Sequence, residues 1–139
     1  MKIGITGTRE GMSEYQVREV YDILNRINTN CRTHDVKPSF HHGDCLGVDV
    51  EAAAIAKSLG YTINGHPPSA SNMRGFFQSD FDYEPAGYLQ RDRAIVDTCD
   101  FLLVVPLQME WQPKGGTWYT HDYAAKKNKP LVVIFPRAR

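Results

Sequence analysis

The chain has 139 residues, of which 42% are hydrophobic. That is enough for one compact core and too little for two comfortable domains. Sixteen basic and sixteen acidic side chains cancel, so no global field draws nucleic acid or a membrane surface, and a small-molecule partner is expected. Cys31, Cys45 and Cys99 are an odd set without framework spacing, the start Met1-Lys-Ile-Gly-Ile-Thr lacks a signal segment, and no apolar run reaches membrane-spanning length. Those features predict a reduced, cytoplasmic protein with no membrane partner.

Short β-type runs alternate with segments of helical period, the pattern of a parallel sheet covered by helices on both faces. Lys2–Thr6 reads as the first strand. Ser13 to about Asn28 carries Val17, Val20, Tyr21, Leu24 and Ile27 at helical spacing, with Ser13 as N-cap. Pro38–His42 is the second strand, and Val48–Leu59 is an alanine-rich helix stopped by Gly60. Tyr61–Gly65 is the third strand. His66–Pro85 is long, irregular and rich in Pro, Ser, Asn and aromatics, which marks a functional loop and a lid candidate. Ala86–Thr98 reads as a helix, Asp100–Val105 as a strand, Thr117–Lys127 as a helix and Leu131–Phe135 as the last strand. The expected fold is therefore an α/β, Rossmann-like, five-stranded parallel sheet in a single domain over residues 1–139.

Ligands of open parallel sheets bind at the carboxyl ends of strands, where the strand order reverses. Gly7-Thr8-Arg9 follows the first strand, Gly43-Asp44-Cys45-Leu46-Gly47-Val48-Asp49 the second, and Gly115-Gly116-Thr117 the fourth. Without side chains, Gly115 and Gly116 let a ligand approach the backbone, and the free N–H groups of the helix start favour a phosphate.

These three turns in register resemble the SLOG superfamily, which includes the Lonely Guy phosphoribohydrolases and the DNA-processing protein A domain. The likeness spans nearly the whole chain and is strongest to the small stand-alone SLOG proteins of bacteria and phages. It implies a Rossmann-like nucleotide-binding domain and a homodimer or higher homo-oligomer. The resemblance to the Lonely Guy enzymes places Arg91 at their catalytic arginine and Thr120 where they carry a glutamate. A threonine does not supply the carboxylate that cleavage of an N-glycosidic bond requires. His121, one helical turn beyond Thr117, is the closest substitute, with Asp122 and Glu84 as further ones.

The functional reading is therefore a module that binds a nucleoside phosphate or an ADP-ribose-like derivative, with a nucleotide N-glycoside hydrolase as the alternative. Single-stranded DNA binding is disfavoured by zero net charge. Gly7, Thr8, Gly115, Gly116 and Thr117 present phosphate donors. Arg9, Arg91 and Arg93 are either solvated charges or phosphate partners. Asp44 and Asp49 orient ribose hydroxyls or hold the turn between Gly43 and Gly47, and Asp49 has helix capping as its plainer role. No further cofactor and no metal are called for: His41 and His42 are adjacent on a strand, so they point to opposite faces and do not chelate one ion. Cys45 has no paired histidine and asparagine order that identifies a nucleophile. Trp118 and Tyr119 are candidates for base stacking or core. Phe76, Phe77, Phe81 and Tyr83 are candidates for closing over a ligand or for self-association.

Overall fold

In the computed structural model, which describes residues 1–139, the apolar runs form parallel strands β1 (Lys2–Gly7), β2 (Ser39–His42), β3 (Thr62–Gly65), β5 (Phe101–Val105) and β6 (Leu131–Val133). A sixth, β4 (Phe81–Asp82), corrects the expected five. The helices are α1 (Glu14–Thr33), α2 (Val48–Ser58), α3 (Tyr88–Thr98) and α4 (Gly116–Lys126). The sheet order is β4-β3-β2-β1-β5-β6, and every pairing is parallel. The chain builds outward from β1 on one side, then crosses to β5 on the other. The order therefore reverses between β1 and β5, where a crevice opens at the strand ends.

Burial on both faces follows from alternation along the strands. Leu103 and Val105 of β5 join the larger core with Ile3, Ile5, Phe40 and Ile63 beneath α1 and α2. Leu102 and Val104 join Ile95, Val96, Cys99 and Ala124 beneath α3 and α4. Ala52, Ala53 and Ala56 are fully buried, so α2 approaches the sheet closely.

Helix α1 starts at a capping box, with Gln16 N donating to Ser13 Oγ at 3.1 Å and Ser13 N donating to Gln16 Oε1 at 3.0 Å. Gln16 is itself buried, and its amide donates to Pro106 O and Ile134 O at 2.8 and 2.9 Å. That ties the start of α1 to the carboxyl edge. The helix runs past Asn28 because Asn28 and Cys31 continue its buried face, and the Asn28 amide donates to Leu59 O, at the end of α2, at 2.7 Å. Val17 and Tyr21, expected on the apolar face, are exposed.

The segment 66–85 is not an open lid. Ile63 N donates to Asp80 Oδ2 at 2.7 Å, Tyr83 N to Gly65 O at 2.8 Å and Leu46 N to Met73 O at 3.0 Å. The first two fasten it along the β3 edge, where Phe81–Asp82 pair as β4, and the third ties it to the turn between β2 and α2. Polar atoms that propensity counted as loop are satisfied there by the sheet.

Candidate functional site

The crevice at the switch point is a cavity of about 580 Å³, lined from the ends of β1 and β5, the β2–α2 turn and the first turns of α3 and α4. Of the residues singled out from sequence, Gly7, Thr8, Arg9, Cys45, Asp49, Arg91, Gly115, Gly116, Thr117 and Trp118 line it. Gly43, Asp44, Gly47, Arg93, Thr120 and His121 do not.

One end of the cavity has the character of an anion cradle. Gly115 has φ +98°, a conformation few other residues adopt, and caps α4. A Cβ at Gly115 would meet nothing within 4 Å, and one at Gly116 would meet only Asp92 Oδ2 at 3.8 Å. The backbone therefore faces open cavity where the first N–H groups of α4 have no helical partner. Arg9 and Lys114 stand beside it, and neither side chain makes a hydrogen bond or ion pair within the protein. Arg9 instead lies over the Tyr88 ring at 5.4 Å.

Arg91 lines the same cavity, with its guanidinium 5.5 Å from the centroid of the Tyr88 ring that it shares with Arg9, and is turned inward. Its Nε donates to Asp92 Oδ1 at 2.8 Å, its Nη1 to Gly43 O and to His66 O (3.3 Å), and its Nη2 lies 3.5 Å from Cys45 Sγ. Burial works against the guanidinium charge, but Asp92, Asp49 and Cys45 outweigh it and raise the Arg91 pKa. Four of its five N–H groups are engaged by the protein, so its main role is to order the cavity.

Asp49 is 6% exposed. Its Oδ2 accepts from Gly43 N at 3.0 Å and Cys45 N at 3.3 Å, which folds the carboxylate back over the β2–α2 turn. Burial pushes its pKa up to about 6, against the pull of Arg91. Burial also raises the Asp92 pKa, with Arg91 and Thr120 opposing. The Cys45 thiol is raised as well, chiefly by burial and then by Asp49. It is therefore a neutral thiol and not an activated nucleophile.

The remaining candidates have structural partners. Gly43 lies directly behind the Arg91 guanidinium, with no room for a Cβ. Gly47 has φ +87°, and its Cα faces the Thr8 and Arg9 carbonyls so closely that a Cβ would lie 2.5 Å from them. Asp44 is fully buried, with Oδ2 accepting from Arg74 Nε at 2.7 Å and Oδ1 from Phe77 N at 2.8 Å. It clamps segment 66–85 and does not line the cavity. Arg93 donates to Tyr119 Oη at 3.0 Å on the surface, and the Thr120 hydroxyl donates to Gly116 O at 2.7 Å. His121 pairs with Asp122 at 2.9 Å and lies against Trp118 outside the cavity. Trp118 is buried, with its indole N–H donating to Gln108 Oε1 at 3.0 Å.

Asp92, Tyr88, Glu10, Gln108 and Lys114 line the cavity without having been singled out from sequence. Lys114 was legible as a cation next to the glycine pair. Asp92 was not, because side chains at i and i+1 of a helix ordinarily diverge, whereas here Arg91 and Asp92 bond within the first turn of α3.

The histidines sort by face as expected. The His41 Nδ1 and His66 Nε2 atoms are 3.0 Å apart, and His66 stacks on Tyr83 with ring centroids 4.1 Å apart. Asp44 N donates to His42 Nδ1 at 2.9 Å, so His42 Nε2 carries the proton toward Ser79 Oγ at 2.8 Å. Burial is the largest cause lowering His41 and His42 to about 4 and His66 to about 3.

No protein-family model matches this chain, and no curated protein matches it. Solved structures do. The molybdenum cofactor binding protein of Rippkaea orientalis superposes with a TM-score of 0.72 at 19% identity, over 98% of this chain and 77% of that one. The molybdenum cofactor carrier protein of Chlamydomonas reinhardtii gives 0.62 at 25% identity, over 95% and 74%. DNA processing protein A of Helicobacter pylori, described for its single-stranded DNA binding mode, gives 0.63 at 21% identity, over 96% and 64%. The fold is the SLOG-type Rossmann-like fold that the glycine turns resemble. No helix is long and apolar enough to cross a membrane.

Proposed function

We propose that this chain binds a phosphate-bearing small molecule, a nucleotide or a nucleotide derivative, in the cavity between β1, β5 and the start of α4. The observation that carries the reading is the open backbone at Gly115 and Gly116 in a cavity also lined by Arg9 and Lys114, two cations without a hydrogen bond or ion pair to the protein. An anion there receives backbone N–H groups, the positive end of α4 and two cations. The structural neighbours support small-molecule binding by this fold in general. Binding without turnover is the simpler reading: His121, Asp122 and Glu84, the substitutes for a missing glutamate, lie outside the cavity, and of the carboxylates that line it Asp49 is tied to the β2–α2 turn and Asp92 to Arg91.

The test is thermal unfolding against nucleoside mono-, di- and triphosphates, NAD, ADP-ribose and cyclic nucleotides, with mass spectrometry for released base. Molybdenum cofactor and a single-stranded oligonucleotide extend the panel. A nucleotide at a hundred times its dissociation constant adds about 2.7 kcal/mol of stability. A shift with the nucleotide intact is expected. Released base establishes the hydrolase, and a response to the oligonucleotide alone overturns the small-molecule reading. Light scattering on the same samples tests the implied homodimer or larger assembly.

A further inference from the structure

Arg9 is a charge without a salt bridge. Its backbone is pinned: Gly47 packs so tightly against the Thr8 and Arg9 carbonyls that no Cβ fits, and Val48 N donates to Thr8 O at 3.0 Å. Its side chain is exposed, donates no hydrogen bond within the protein and forms no ion pair, either with Glu10 beside it in sequence or with Asp49 or Asp92 in the same cavity. What it does meet is one aromatic ring. The guanidinium carbon lies 5.4 Å from the centroid of Tyr88, the first residue of α3. The Arg91 guanidinium carbon lies 5.5 Å from the same centroid, and Arg91 is itself fixed by Asp92 Oδ1, Gly43 O and His66 O. The ring is therefore shared by a guanidinium that the protein has immobilised and one whose donors it has left free.

We propose that Tyr88 is a positioning residue of the anion site: its ring holds the Arg9 guanidinium at the cavity by cation–π contact and leaves every N–H donor of Arg9 for the ligand. This rests on the phosphate reading above. Both separations fall within the ~6 Å over which a ring attracts a cation. That attraction acts on the charge of the guanidinium and claims none of its five N–H donors as a hydrogen bond. A carboxylate would hold the side chain as firmly, but it would occupy the guanidinium fork and offset the charge that an anion needs. An aromatic ring does neither. A long side chain gives up rotameric freedom when it closes on a ligand, and one that is already held gives up less, so Tyr88 raises affinity without touching the ligand. Lys114, the other unpaired cation of the cavity, has no ring partner and serves as the comparison.

The experiment is a double-mutant cycle read by calorimetric titration with adenosine 5′-monophosphate and with inorganic phosphate, which has no base to stack. Tyr88→Leu is expected to weaken both ligands by the same factor, about fivefold, and Tyr88→Phe, which keeps the ring, to rescue the affinity. Tyr88→Met replaces the leucine variant if that does not fold. In an Arg9→Ala background Tyr88→Leu is expected to change affinity by less than about twofold, whereas in a Lys114→Ala background the loss of about fivefold is expected in full. In the free protein, nitrogen relaxation of the Arg9 Nε–H group is expected to show a restricted side chain in wild type and Tyr88→Phe and a mobile one in Tyr88→Leu. Unchanged affinity in Tyr88→Leu, a loss confined to adenosine 5′-monophosphate, a loss undiminished in Arg9→Ala, or a mobile Arg9 in wild type each overturns the positioning role and leaves the phosphate reading standing. Failure of wild type to bind inorganic phosphate or any nucleotide of the panel above overturns both.

Discussion

Arg91 Nε donates to Asp92 Oδ1 at 2.8 Å, between neighbouring residues in the first turn of one helix. The bond turns the guanidinium into the protein, where two backbone carbonyls complete its coordination. The arginine that the resemblance singled out therefore organises the cavity, and Arg9 and Lys114 keep their donors free of hydrogen bonds to the protein.

The two arginines should separate by phenotype. Arg91→Ala leaves Asp92 buried without its partner and strips donors from Gly43 O and His66 O, with an expected loss of about 3–5 kcal/mol in urea unfolding. Arg9→Ala removes an exposed charge without a protein hydrogen bond. Its stability should stay within about 0.5 kcal/mol of wild type, and its affinity for nucleoside monophosphates should fall about tenfold. An Arg9→Ala protein with unchanged affinity places the anion elsewhere.

Gly116→Val tests the cradle directly. No protein atom within 3.8 Å obstructs a Cβ there, and valine at a helix start costs under about 1 kcal/mol. The added methyl groups project into the cavity. We expect a melting temperature close to wild type and nucleotide affinity reduced more than about tenfold by calorimetry. Retained affinity in the folded variant rules out the glycine turn as the contact.

Arg74→Ala bears on the fold alone. Asp44 is fully buried and takes its charged hydrogen bond from Arg74, so removing that donor should cost about 1.5–3 kcal/mol. Neither residue lines the cavity. Ligand affinity is expected to be unchanged under conditions where both proteins are folded, and a large loss of affinity shows that segment 66–85 takes part in binding.

The buried histidines set a pH dependence. Their folded pKa values, about 4 for His41 and His42 and about 3 for His66, lie below the ordinary 6.5. The unfolded chain thus binds more protons between these limits, and the stability that the neutral rings contribute is full above 6.5 and is lost as pH falls toward 4. Asp49, raised from 3.8 to about 6, works in the opposite direction over that window, as does Asp92. Asp82 is raised too, by burial, but the histidine shifts are the larger set, so unfolding near pH 5 should take up protons on balance. Urea unfolding at pH 5 and pH 7 checks this, with the lower stability expected at pH 5. His66→Gln should reduce the uptake by about one proton.

Local chemistry was sufficient for most of the architecture. Alternating apolar runs, the Ser13–Gln16 cap and the glycine turns specified parallel strands, covering helices and turns that open at the strand ends, because each depends on residues close in sequence. The turns at Gly7 and at Gly115–Gly116 were legible for the same reason, since strand ends of a parallel sheet gather at one edge. What spacing could not decide was which polar side chains remain free once the chain packs. Asp44 and Asp49 looked alike in one turn. Tertiary contacts give Asp44 wholly to Arg74 and Phe77 and leave Asp49 with one oxygen at the cavity. Arg9 and Arg91 were both candidate phosphate partners, and burial separated them. A free hydrogen-bonding group is defined by the partners it lacks, and those partners come from segments distant along the chain: Gly43 and His66 for Arg91, residue 74 for Asp44. The short β4 was decided in the same way, by the waiting edge of β3 and not by any propensity of Phe81 and Asp82.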